Sequence, residues 1–153
     1  MIEIFPKVKA IDKALYFENL KLLVISDLQI GQESYFASKG LFVPQFQTKQ
    51  MTDNLIKILK ETKAEKLLIN GDFKHDFSLA ANQEWNDITF FISEILKYVK
   101  TIIVVKGNHD NFLQNILNKY KIRIVGEALI EEYLFIHGHS FPKTNLNKYN
   151  TLI

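Results

Sequence analysis

Residues 101–110 read TIIVVKGNHD, so that five residues of strand character lead directly into a polar turn. The apolar segment Ile102–Val105 is uninterrupted, which is typical of a strand that is buried on both faces of a sheet. The turn that follows places an amide, an imidazole and a carboxylate at the end of this strand. The stretch therefore indicates a layered α/β domain with polar chemistry at a strand end.

The same pattern recurs on both sides of this stretch. Predicted strands end in the polar sequences SDLQIG, NGDFKHD and HGHS, and these strands are Lys21–Asp27, Lys66–Asn70 and Tyr133–Ile136. One further strand is predicted at Ala14–Phe17, and residues 128–132 alternate between apolar and polar. All four histidines of the chain lie in the polar clusters, although each cluster taken alone is more typical of a turn, a helix cap or a core histidine.

Helical periodicity fills the gaps between these strands. Apolar residues recur at helical spacing within residues 51–59, 85–99 and 112–120. The first helix is expected to begin near Pro44–Thr48, and Asn82 and Asn111 are the expected N-caps of the other two. The alternation of strands and helices predicts an α/β fold with a central, mainly parallel sheet and flanking helices.

The carboxyl ends of parallel strands meet at one edge of a sheet, so the polar clusters are expected to converge there. Two divalent cations about 3.5–4 Å apart can bind a phosphate group when a carboxylate bridges them. The chain has no cysteine, so the ligands of such cations would be Asp, Asn and His. This mixture suits Mn best, with Fe or Zn as alternatives and Mg less favoured.

Composition limits the classes of protein to consider. The length of 153 residues predicts a single domain, residues 1–153. The net charge of +2 is too small to indicate a nucleic-acid partner, and no apolar run is long enough to span a membrane. Since no signal or transit peptide is recognisable at the N-terminus, a cytoplasmic location is expected.

Four motifs, in this order, resemble those of the calcineurin-like metallophosphoesterases: Asp27-Leu28-Gln29, Gly71-Asp72, Gly107-Asn108-His109-Asp110 and His137-Gly138-His139. Residues 27–33 and 71–75 look similar to the archaeal and DNA-ligase-associated branch, whose relatives are DNA-repair exonucleases. The resemblance covers about residues 14 to 142 and implies the layered fold of that family.

The resemblance also implies a two-metal site. Asp27 would bind the first metal, Asp72 would bridge both, and Asn108 and His137 would bind the second. Gln29 and His139 are further candidate ligands.

By the same resemblance, His109 would be the catalytic acid, and Asp110 would hold its imidazole in orientation. The substrate phosphate would contact His75, Asn108 and His109.

Two departures from the family pattern limit this transfer. Gln29 stands where the family has a histidine, and no Gly-His-x-His block follows His139. The first metal site is therefore expected to be weak and the second sheet incomplete. An exposed strand edge is expected at Tyr133–Ile136, which would be covered by a second copy of the chain or by a separately encoded C-terminal half.

Two functions follow from these expectations. The first is a metal-dependent hydrolase of phosphomonoesters or phosphodiesters, with nucleic acid as a substrate by family analogy alone. The alternative is a degenerate or truncated homologue without catalytic activity, which acts as a binding or structural subunit. Gln29 and the absent block are the reasons for keeping this alternative open.

Overall fold

The computed structural model describes residues 1–41, 46–75 and 82–153. The strands are β1 (Ile2–Phe5), β2 (Val8–Ile11), β3 (Ala14–Phe17), β4 (Leu22–Ile25), β5 (Lys66–Asn70), β6 (Thr101–Val105), β7 (Arg123–Val125), β8 (Ala128–Ile130), β9 (Tyr133–Phe135) and β10 (Thr151–Leu152). The α-helices are α1 (Gln32–Ser38), α2 (Gln47–Thr62), α3 (Asn82–Ile95) and α4 (Leu113–Leu117). Two short 3-10 helices lie at Asn118–Tyr120 and Leu146–Lys148.

The strands form two sheets. The larger sheet has the order β1 to β7, and its strands β4, β5, β6 and β7 are parallel neighbours. Strands β1 to β4 are joined to one another in antiparallel fashion. The smaller sheet has the order β10-β9-β8. The predicted α/β architecture, with its parallel central strands and flanking helices, is confirmed.

The continuous apolar character of the central strands has a simple cause in this architecture. In β4, Leu23 and Ile25 belong to the core that α2, α3 and α4 form on one face of the larger sheet. Leu22 and Val24 point to the opposite face, where they pack with residues of the smaller sheet such as Phe135. Because successive residues of a strand alternate between faces, both sets must be apolar. Helices therefore cover one face of the sheet, and a second sheet covers the other.

Most predicted elements appear at the expected places, with differences at their ends. The helix predicted within residues 85–99 ends at Ile95, and a turn follows it. Asn111 was expected to cap α4, but Phe112 occupies the cap position with φ 63° and no side-chain hydrogen bond. Pro44, near which α2 was expected to begin, lies outside the described residues.

The exposed edge predicted at Tyr133–Ile136 is not observed. Strand β9 is paired on one side with β8 and on the other with β10, which supplies Thr151 opposite Tyr133. The backbone N–H of Ile136 also donates to the carbonyl of Ile153, at 3.0 Å. The prediction was wrong because a two-residue strand from a distant part of the chain covers this edge.

Across the three described segments, none of the helices combines the length and the apolar character that crossing a bilayer requires.

Candidate functional site

The loops that follow β4 and β5 are joined by backbone hydrogen bonds beyond the ends of the strands. The N–H of Asp27 donates to the carbonyl of Gly71 at 3.1 Å, and the N–H of Gln29 donates to the carbonyl of Asp72 at 3.0 Å. Asp27, Gln29 and Asp72 all have a positive φ, between 50° and 53°. Left-handed conformations of residues other than glycine cost free energy and are concentrated at functional sites. The paired loops therefore fix where these three side chains point.

Asp27, Asp72 and His137 come together at this edge of the larger sheet. One potential ligand atom from each lies within 4.8 Å of the others. The side chains come from the ends of three different strands, β4, β5 and β9, and therefore from both sheets. Asp72 is buried, His137 is partly buried and Asp27 is exposed. The expectation that these residues converge agrees with the geometry, and their roles as ligands stay predictions.

The ring of His137 is oriented by the backbone. Its Nδ1 lies 3.0 Å from the carbonyl oxygen of Asn70, which can only accept a hydrogen bond. Nδ1 therefore carries a proton, and Nε2 faces Asp72 Oδ1 at 3.3 Å. A histidine that donates one ring N–H to a carbonyl while its other nitrogen faces the site is typical of a metal ligand.

The donor set fits a divalent cation. Two carboxylates and an imidazole nitrogen face one another at short range, and a cation between them would offset the repulsion between the two carboxylates. Carboxylate oxygens and an imidazole nitrogen suit Mn, Fe or Zn. The residues are thus able to hold such an ion.

His109 lies on the loop after β6 and contacts Asp72 twice. Its backbone N–H donates to Asp72 Oδ1 at 3.2 Å, and its ring Nε2 lies 3.8 Å from Asp72 Oδ2. Its Nδ1 is 2.6 Å from the carbonyl oxygen of His75, so Nδ1 carries a proton and Nε2 faces the site. The ring is stacked on that of His75, with 6.1 Å between centroids.

The carboxylate of Asp110 connects the loops after β5 and β6. Asp110 is 2% exposed and accepts hydrogen bonds from the backbone N–H groups of Phe73 (2.8 Å), Lys74 (3.2 Å) and Gly107 (2.8 Å). Burial raises the pKa of this carboxyl, and the three N–H donors counteract part of that rise. The expected role was to orient the imidazole of His109. The Nδ1–H of that ring donates to the His75 carbonyl, and the Asp110 carboxylate accepts from three backbone N–H groups, so the orienting role of Asp110 stays a prediction.

Gln29 lies between His75 and Asp72. Its Oε1 is 2.8 Å from His75 Nδ1, and its Nε2 donates to Asp72 Oδ2 at 3.1 Å. The His75 ring, which was predicted to contact substrate, packs edge-on against Tyr35 with 5.0 Å between centroids.

Asn108 and His139 are exposed; Asn108 directly precedes His109, and His139 follows His137 after one residue. Asn108 follows the buried Gly107, and the ring of His139 is 5.7 Å from that of His137. Their roles as ligands stay predictions.

Two glycines and one asparagine of the site had no assigned role in the sequence analysis. A Cβ on Gly71 would lie 2.1 Å from Nδ1 of His137, and one on Gly107 would lie 2.3 Å from Oδ1 of Asp72. The side-chain amide of Asn70 donates to the carbonyl of Ile136 at 2.9 Å, which ties β5 to the end of β9. Both glycines stand next to predicted ligands in the sequence, so their importance could have been recognised there. The contact of Asn70 joins residues that are 66 positions apart, and the sequence gives no local indication of it.

A groove of about 310 Å³ opens beside Asp27, between the ends of the strands and α2. Its lining includes the apolar Leu28 and Met51 and the amide side chains of Gln50 and Asn54. Such a groove has room for a small organic group attached to a phosphate that is bound near Asp27.

Comparison with known proteins identifies the family. A family model described as calcineurin-like phosphoesterase matches residues 20–152. A crystal structure of the nuclease MPE of Pseudomonas putida shares the fold, with a TM-score of 0.62 and 23% sequence identity. The match covers 79% of this chain and 56% of that chain, so this chain spans little more than half of the length of its structural neighbour. The comparison with curated proteins finds no match. With the family model matching most of the chain, and with side chains at the strand ends that are able to hold a cation, the chain belongs to the calcineurin-like phosphoesterases, a family of metal-dependent hydrolases.

Proposed function

We propose that this chain hydrolyses phosphodiesters, with a divalent cation held by Asp27, Asp72 and His137. The observation that carries the proposal is the convergence of these three side chains within 4.8 Å. The exposed Asn108 is a further ligand in this proposal, and Mn is the preferred ion because the set combines hard oxygen donors with an imidazole.

When bound by these residues, the cation would supply positive charge for the phosphate oxygens and would lower the pKa of a coordinated water. The residues of the chain would position the cation. The carbonyl of Asn70 orients the ring of His137, and the backbone N–H of His109 donates to Asp72 Oδ1 and holds it in place. Site residues that are oriented in this way lose little conformational entropy when they bind substrate.

His109 is the proposed catalytic acid. Its Nδ1–H is held by the carbonyl of His75, so Nε2 is the nitrogen that can carry a proton to the leaving oxygen of the ester. This nitrogen lies 3.8 Å from Asp72 Oδ2, so it is on the side of the ring that faces the proposed cation ligands.

The groove beside Asp27 is the proposed site for the organic part of the substrate. Its mixture of apolar and amide side chains suits a flat group with hydrogen-bonding edges, and a nucleic-acid end is such a group. The resemblance of residues 27–33 and 71–75 to the DNA-ligase-associated branch supports the same substrate, as does the structural neighbour that is a nuclease. We also propose that the protein is located in the cytoplasm.

The alternative of a non-catalytic homologue is not favoured. A purely structural domain has no need to keep two carboxylates and an oriented imidazole in one cluster, where they repel or desolvate one another.

The test is hydrolysis of a bis-aryl phosphate with added Mn²⁺. The wild-type chain should show activity that EDTA abolishes, and Asp72→Asn should reduce the rate to background. His109→Ala should lower kcat by about 10²–10⁴-fold, the usual contribution of a general acid. Gly126→Ala is the matched control, because a Cβ at Gly126 meets no atom within 4 Å. Equal rates for the wild type, Asp72→Asn and His109→Ala would exclude the proposed site.

A further inference from the structure

The position of the Gln29 side chain determines how many cations the Asp72 carboxylate can bind. Its Nε2 donates to Asp72 Oδ2 at 3.1 Å, while its Oε1 accepts from His75 Nδ1 at 2.8 Å. A carboxylate oxygen only accepts hydrogen bonds, so the amide must present its NH₂ group to Asp72. The reverse orientation would place two oxygens against each other.

The backbone holds this arrangement in place. The N–H of Gln29 donates to the carbonyl of Asp72 at 3.0 Å, and both residues have a positive φ. Ile30 and Lys74 continue the pairing of the two loops. The amide of Gln29 is thus attached to a rigid pair of loops, and its contact with Asp72 belongs to the same set of hydrogen bonds that build the site.

The two oxygens of Asp72 consequently have different surroundings. Oδ1 faces His137 Nε2 at 3.3 Å and accepts from the backbone N–H of His109 at 3.2 Å. Oδ2 accepts from Gln29. A carboxylate that bridges two cations about 3.5–4 Å apart must give one oxygen to each of them. Oδ1 also accepts a backbone N–H, but at Oδ2 the neighbouring side chain is the NH₂ group of Gln29, which has no lone pair to give a cation and brings a partial positive charge to the place where a second ion would bind.

Charge balance leads to the same conclusion. One divalent cation offsets the two negative charges of Asp27 and Asp72. Among the described residues, the group able to hold a metal contains these two carboxylates and His137. The Asp110 carboxylate is buried against three backbone N–H groups. A second cation would add two positive charges without a further carboxylate from the described part of the chain.

We infer that this chain binds one divalent cation, and that Gln29 is the positioning residue that restricts it to one. Gln29 fills the place where a second cation would meet Asp72 Oδ2. The inference rests on the proposed function, because it concerns the same site. With one cation bound, the side chains around Asp72 would provide the charge stabilisation that a second cation would otherwise provide.

The experiment counts bound Mn²⁺ and does not depend on turnover. The purified chain is dialysed to equilibrium against Mn²⁺, its metal content is measured by mass spectrometry, and its EPR spectrum is recorded. The wild type should bind one ion per chain and give the spectrum of isolated Mn²⁺. Gln29→Glu keeps the shape of the side chain but replaces the donor with a carboxylate, and Gln29→His supplies an imidazole. Both variants should bind two ions and show the spectrum of an exchange-coupled pair.

Gln114→His is the matched control. Gln114 is on α4 and its amide donates to Asn118, so an imidazole there should leave the count at one. Two ions in the wild type would overturn the inference, as would a wild type that binds none. One ion in Gln29→Glu and in Gln29→His would also overturn it, because Gln29 would then not be what excludes the second. Absence of hydrolysis with a count that rises from one to two would refute the proposed function and leave the inference standing.

Discussion

At the scale of single residues, Gly107 determines how closely the loop after β6 approaches Asp72. A Cβ at this position would lie 2.2 Å from the backbone nitrogen of Asp72 and 2.3 Å from its Oδ1. The nitrogen is a backbone atom that cannot turn aside as a side chain can, so the two loops would have to separate.

We therefore expect Gly107→Ala to weaken Mn²⁺ binding. The backbone N–H groups of Gly107 and His109 hold Asp110 and Asp72, so the substitution displaces the support of a ligand. Loss of such support typically costs about 10–100-fold in metal affinity. Calorimetric titration measures the dissociation constant, with Gly126→Ala as the control of equal size. Unchanged affinity in Gly107→Ala would show that the contact between these loops does not matter for the site.

The convergent residues could be predicted from the sequence, whereas their hydrogen bonds could not. Asp27 and Asp72 follow neighbouring parallel strands, and the geometry of a parallel sheet brings such positions together. His137 follows β9 of the smaller sheet and reaches the same place because the two sheets pack against each other. The contacts of Gln29 and Asp110 depend on how two loops pair after the strands end. No local pattern encodes that pairing, so the sequence indicates neither the contact between Gln29 and Asp72 nor the backbone partners of Asp110.

At the scale of elements, Glu65 joins the starts of three parallel strands at the edge of the sheet opposite to the site. Its carboxylate binds Lys21 before β4 and Lys100 before β6, each at 2.6 Å. The hydrogen bond from Lys100, and then that from Lys21, lowers the pKa of Glu65 from 4.5 to about 2.

This shift predicts a pH-dependent effect of Glu65→Gln. A carboxyl whose pKa is lower in the folded state stabilises that state above its unfolded pKa, and the contribution disappears as the pH falls from about 4.5 to about 2. The variant should have a lower melting temperature than the wild type at pH 7, with a difference that shrinks through this acidic range. Added salt should also reduce the difference, because the groups are in contact with solvent. A difference that stays constant between pH 7 and pH 2 would contradict the assignment.

The elements that the sequence predicted are those with a strong apolar pattern. Strands β3, β5 and β6 begin and end as expected, because they are buried and flanked by polar residues. Two of the missed elements have no buried residue: every residue of β1 is exposed, and α1 also lacks buried residues. Such elements form because their neighbours position them, and their own residues provide no amphipathic signal.

At the scale of the whole molecule, Phe17 joins the two sheets. It is fully buried, and its ring contacts Tyr133 and Phe135 edge-on at centroid distances of 4.9 and 5.6 Å. Since β9 leads directly to His137, this contact also supports the site.

Phe17→Ala should lower the free energy of unfolding and hold the side chain of His137 less firmly in its position. Removing a buried phenylalanine side chain typically costs about 3–5 kcal/mol in the free energy of unfolding. Urea denaturation measures this change, and Phe141→Ala is the control, because Phe141 is 95% exposed. Phe17→Leu should lose less stability and keep Mn²⁺ binding close to that of the wild type. If Phe17→Ala and Phe141→Ala were equally stable, the proposed role of Phe17 between the sheets would be wrong.

A bound cation should stabilise the whole molecule, because its proposed ligands come from both sheets. At a free Mn²⁺ concentration of 100 times the dissociation constant, the expected gain is about 2.7 kcal/mol. Thermal unfolding should therefore shift upward with Mn²⁺ and return to its original value with EDTA. The shift should be absent in Asp72→Asn. A melting temperature that does not respond to Mn²⁺ would mean that the folded chain does not bind the ion.

The most direct test of the account is the anomalous diffraction of crystals grown with Mn²⁺, recorded at the manganese absorption edge. We predict an anomalous peak within bonding distance of Asp27, Asp72 and Nε2 of His137. A map without a peak at these three side chains, or with its peaks only elsewhere on the protein, would contradict the account.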